Sequence, residues 1–189
     1  LRYVNQTNQL ESIMKNKIKI SLILILIGIS CSSLNAQKRF EDRADEDTAN
    51  WRYEIECVGT GKQGTTLIKV WSYSKKPQVA AEQAKKNAIH GIIFKGVPQG
   101  ERGCVAQPAL ARNANIEQEK ADYFNAFFNN GGKFQKFVSL TTNGAIAAGD
   151  RIKISRKEYK IGVIVSVNKK LLRDELEAAG IIRGLSSGF

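Results

Sequence analysis

From Trp51 onward the chain switches between a polar–apolar period of two and a period near four. Residues 51–58 alternate, with Tyr53, Ile55 and Cys57 against Arg52, Glu54 and Glu56, which predicts a half-buried strand. The glycines of 59–64 break it, and 65–74 predicts a second strand, antiparallel to the first. Pro77 suits a helix first turn. Ala81, Ala84, Ala88 and Ile92 then fall on one face of a helix that runs to about Lys95, with Gln78, Glu82, Lys85 and Lys86 outside. Residues 104–113 are ambiguous, because Pro108 argues against a central strand. Residues 115–129 predict a second helix, capped by Asn115, with Phe124, Phe127 and Phe128 together with Ala121 and Tyr123 in its apolar stripe and Gly131–Gly132 as its stop.

Strands are expected at 133–142, 151–155 and 159–167, the last one central because Ile164 makes it apolar on both faces. Asn168 should cap a final helix, 169–179, with Leu171, Leu172, Leu176 and Ala179 inward. Ile181 and Ile182 should fold back on the core. The order predicts an α+β fold: a mainly antiparallel sheet of about four to five strands with about three helices on one face.

Upstream the pattern changes character. Met14, the single methionine, opens a basic stretch (Lys15, Lys17, Lys19) followed by the apolar run 20–29 and the small or polar residues 30–36. That order is the layout of a bacterial secretory signal peptide over 14–36, with 1–13 read as an untranslated upstream segment. Cleavage after Ala36 would release a soluble periplasmic protein; cleavage before Cys31, with lipidation of its thiol, would tether it to a membrane. Residues 37–50 are dense in mixed charge and read as a flexible linker ahead of a single domain, 51–189. The mature chain is expected to hold no transmembrane helix.

The formal net charge is +11; residues 1–36 hold four basic and one acidic side chain, so the 153 residues from Gln37 carry +8. Such an exported chain is drawn to anionic lipid, acidic glycan or an acidic protein surface, and the compartment disfavours nucleic acid. The basic residues are spread along the sequence, as on a solvated face. Cys57 and Cys104 are a candidate disulfide, closing a 48-residue loop, against the alternative of two buried thiols.

Chemical motifs are sparse. Gly59-Thr60-Gly61-Lys62-Gln63-Gly64 fits the dinucleotide-binding spacing, but that motif needs a helix next and a strand pattern follows. His90, the only histidine, has no neighbouring ligand set for zinc. A Cys–His nucleophilic pair is the more elaborate alternative to a bridged or buried cysteine. No catalytic residue, metal or cofactor is expected.

The stretch 58–97 is a glycine-bearing hairpin followed by a helix with spaced alanines (Ala80, Ala81, Ala84, Ala88). It resembles small outer-membrane lipoprotein domains related to the N-terminal domain of the flagellar assembly protein FlgT. Residues 159–179 fit the same plan, whereas 104–130 depart from it. The resemblance implies a non-enzymatic module that binds neighbouring envelope proteins, and carries over no functional residue. The expected function is thus an accessory or docking component of a larger cell-envelope assembly, periplasmic or outer-membrane associated. The alternative is a binding module for an anionic glycan or lipid. Candidate partner contacts are Trp71 and Tyr73, on an exposed edge of the first hairpin, and the terminal Phe189.

Overall fold

A computed structural model describes residues 50–61, 64–100 and 103–184, with isolated positions upstream. The chain divides into two units, 1–39 and 40–189, and the sheet with its covering helices belongs to the second. The readings of 1–13, of the 14–36 signal and of the 37–50 linker fall almost wholly outside the described residues, as do Cys31 and Phe189.

The fold is α+β. Strands β1 (Tyr53–Thr60) and β2 (Thr65–Ser74) form an antiparallel hairpin. Helix α1 (Pro77–His90) continues as a π-helical turn, Gly91–Lys95. After an irregular segment come α2 (Ile116–Glu119), α3 (Ala121–Phe128), a 3-10 turn (Lys133–Phe137) and β3 (Val138–Leu140). A second 3-10 turn, Ala148–Asp150, leads into β4 (Arg151–Lys153), then β5 (Tyr159–Asn168) and α4 (Lys169–Ala178). The sheet order is β1-β2-β5-β3, with β4 also paired to β5, and every pairing is antiparallel.

Period-two alternation sets the two faces. Ile68 and Val70 of β2 and Ile161, Val163, Val165 and Val167 of β5 are buried in one cluster with Ala80, Ala84, Ala88, Leu172 and Leu176. The alanine face lets α1 lie close to the strands; Ala84, Ala88 and Ile92 sit on it as their spacing predicted, with Ala80 in the cluster and Ala81 buried outside it. Strand β5 is central, with β2 on one side and β3 and β4 on the other. Val58 is the extra residue of a bulge between Cys57 and Gly59 in β1.

Four local expectations are corrected. Lys86 is buried rather than outside, with its ammonium over the Phe134 ring, because the 133–137 turn covers that flank of α1. Residues 133–137 form a 3-10 turn, not a strand: Phe134 and Phe137 are both buried three residues apart, which suits a three-residue period. The second helix breaks at Lys120, and Asn113 rather than Asn115 receives an N-terminal amide, Asn115 N–H donating to its side chain at 2.9 Å. In α4, Leu171 is 49% exposed and Ala179 is also exposed, so the inward stripe narrows to Leu172 and Leu176. Asn168 caps α4 as expected, accepting from Leu171 N–H at 3.0 Å.

Candidate functional site

Two chemically distinctive regions lie on this frame. The first gathers around His90, at the end of α1. Tyr53 projects from the core face of β1, and its hydroxyl lies 2.6 Å from His90 Nδ1. His90 Nε2 lies 3.2 Å from Glu117 Oε1 on α2. Trp51 stacks on the imidazole at 3.7 Å, held there by a left-handed backbone conformation (φ 46°). One tautomer satisfies both ring nitrogens: Tyr53 O–H donates to Nδ1, and Nε2–H donates to the Glu117 carboxylate. Burial, and secondarily the Lys95 charge, push the His90 pKa down to about 3, so the ring is neutral and its contact with Glu117 is a hydrogen bond rather than an ion pair. Burial, reinforced by Glu117, holds the Tyr53 phenol far above its ordinary value. Burial also raises the Glu117 carboxyl, opposed by Lys95 and by a hydrogen bond from Trp51. His90 is 3% exposed and its ring is covered by Trp51, Phe94 and Phe128. The network ties β1, α1 and α2 together.

The second region is a cleft of about 1020 Å³ between residues 106–113 and the α4 end of the chain. The first wall is clamped from several directions. Cys57 and Cys104 form a disulfide (Cα–Cα 5.9 Å). Val97 and Gln107 exchange two backbone hydrogen bonds of 2.8 Å, and the N–H groups of Leu110 and Ala111 donate to Ile92 and Ile93 carbonyls. Gly96 (φ 81°) permits this approach: a Cβ there would strike the Gln107 carbonyl and lie 2.9 Å from Ala109 N. The second wall is α4 and its C-terminal turn. Gly180 (φ 68°) reverses the chain, with Ile181 N–H donating to Leu176 O at 2.9 Å and Gly180 N–H to Glu177 O at 3.0 Å, a Schellman arrangement that returns Ile181 to the core.

The cleft is lined by Arg112, Lys169, Arg173 and Arg183, and no Asp or Glu is among its described lining residues. Lys169 donates to the neutral Gln107 amide at 2.6 Å, and Arg173 is 3.3 Å from Glu177 one turn along. Burial and the Arg173 charge both lower the Lys169 pKa.

The residues singled out from sequence sit as follows. The cysteines are bridged. Trp71 is not on an exposed edge. It lies on β2, an inner strand, and is 8% exposed: its ring crosses Gly162 of β5, its indole N–H donates to Glu56 at 2.8 Å, and the Lys69 and Lys160 ammoniums flank it. The edge strand of the hairpin is β1. Tyr73 is half-buried on the same helix-free face, under the Arg52 guanidinium at 3.9 Å, and its hydroxyl donates to Glu54 at 3.1 Å. Sequence reasoning missed the His90 partners, which lie 37 and 27 residues away. It also missed the cleft; its one local signal was Lys169 and Arg173, four residues apart on a helix.

Compared with known proteins, the chain matches no family model, no curated protein and no solved structure.

Proposed function

We propose that this is an exported, non-catalytic envelope protein, periplasmic or outer-membrane associated, whose domain works by binding an anionic envelope component, a glycan or lipid. The cleft carries the reading: four cationic side chains from two separate segments converge there with no carboxylate in its described lining. The disulfide is in keeping with an oxidising compartment. The commitment of His90 and both cysteines to structural bonds favours binding over catalysis.

A second reading, docking to a protein partner within an envelope assembly, draws on the helix-free sheet face around Tyr73 and the β1 edge. Salt separates the two. Purified protein is incubated with isolated envelope membranes, and the co-sedimenting fraction is followed as ionic strength rises from about 0.1 M to about 1 M, where the screening length falls from ~10 Å to ~3 Å. The anion reading expects a steep loss, and loss at low salt in the Arg112→Ala/Arg183→Ala double variant. Binding that ignores salt and disappears in Tyr73→Ala would sink it and leave protein docking in its place.

A further inference from the structure

We infer that the cleft between residues 106–113 and α4 binds an anionic amphiphile, a phosphate- or carboxylate-bearing group attached to a hydrocarbon body; this rests on the anion-binding reading above. The charge argument comes first. Among the described residues, Arg112 and Arg183 have neither a hydrogen-bond nor an ion-pair partner, and both are exposed. Lys169 and Arg173 are like charges one helical turn apart, an unfavourable spacing. Burial and then the Arg173 charge depress the Lys169 pKa, and Glu177, beside Arg173, offsets the repulsion only from the far side. An anion between these groups would relieve the repulsion and form charge-assisted hydrogen bonds with the guanidiniums.

The remainder of the lining is largely apolar: Leu110, Ile116 and Ile181 are already buried in the core, while Ala106, Pro108, Ala109 and Ile182 keep surface open to solvent. A bare anion would leave that surface wetted, whereas a hydrocarbon body would cover it. The volume, about 1020 Å³, is at the upper end of the range that accommodates a small organic ligand. No aromatic side chain is among the described lining residues, which removes the stacking platform that single-stranded nucleic acid would use. The site is also built in advance: the disulfide, the Val97–Gln107 pairing and the α4 C-terminal turn fix its walls, so little ordering cost falls on binding.

The test is calorimetric titration of the full-length protein with dodecyl phosphate below its micelle concentration. Dodecyl maltoside (the same chain on a neutral head), inorganic phosphate and dextran sulfate are run in parallel. Dodecyl phosphate should bind at least roughly tenfold more tightly than the maltoside or inorganic phosphate, and Arg112→Ala/Arg183→Ala should lose roughly tenfold or more at unchanged melting temperature. Ile182→Ala should weaken dodecyl phosphate but not inorganic phosphate. Equal affinity for the neutral amphiphile, or for wild type and the double variant, overturns the inference. Salt-sensitive binding of dextran sulfate through the two arginines, without binding of dodecyl phosphate, overturns the amphiphile while leaving anion binding intact. No binding by any anion overturns both. A concentration-dependent dimer that the arginine substitutions dissolve would identify a second copy as the occupant and likewise overturn it.

Discussion

His90 has a hydroxyl on one side and a carboxylate on the other, and under that geometry its neutrality has a thermodynamic consequence. In the unfolded chain the imidazole titrates near 6.5; in the folded domain its pKa is pushed down to about 3. Between those values the unfolded chain binds a proton that the native state does not, so stability is fully present above about pH 6.5 and declines as pH falls toward 3. The slope from this residue approaches about 1.4 kcal/mol per pH unit within the window. Glu117 works the other way: its raised pKa lets the folded state take up a proton first, which flattens the curve at its acid end. Urea unfolding of wild type and His90→Gln across roughly pH 3–7 isolates the contribution. The difference between the two stabilities should shrink steadily with falling pH, and a pH-independent difference would mean that the imidazole takes up its proton at the same pH in the native and unfolded states.

At the scale of elements, the alternations of β1, β2 and β5 and the alanine stripe of α1 were legible because each side chain faces one environment set by its own strand or helix period. The breaks were not. Residues 133–137 read as strand by composition, yet two phenylalanines three apart are both drawn into the core and the backbone tightens to suit them. The segment 104–113 gave no periodic signal, because tertiary bonds fix it: the disulfide, one β-bridge and the close approach at Gly96. Gly96 combines φ 81° with ψ −174°, a region essentially reserved for glycine. Gly96→Ala should therefore cost about 1–3 kcal/mol from backbone strain, and displacement of residues 107–109 should weaken binding in the cleft as well. Gly103→Ala shares the positive φ but would meet nothing within 4 Å, so it should carry the strain without the loss of binding. Chemical denaturation and the dodecyl phosphate titration read the two effects separately.

The whole domain is held across its sequence by one covalent link. The Cys57–Cys104 bridge restricts a 48-residue loop, worth about 4 kcal/mol by loop-closure entropy. For a domain of this size, reductant or Cys57→Ala/Cys104→Ala should lower Tm by roughly 10 °C, measured by circular dichroism on heating. A shift of only a degree or two would show that the Val97–Gln107 pairing and the core hold the cleft wall without it. The net charge of +11 is likewise a property of the whole chain. It sets the sign of the long-range field but not where that field is focused, which depends on the concavity between α4 and residues 106–113.

The sequence by itself determined the α+β class, the central place of β5, the alanine face of α1, the Asn168 cap and the pairing partners available to the cysteines. Each follows from short-range periodicity, local hydrogen bonding or a count of reactive groups. Only the tertiary structure decided that Trp71 is covered on an inner strand rather than offered at an edge. Strand order is a long-range outcome that alternation within a strand does not encode. It alone brought Tyr53 and Glu117 to His90, and Arg112 and Arg183 to Lys169 and Arg173. Those groups come from separate segments, and only the packing of the core brings them together.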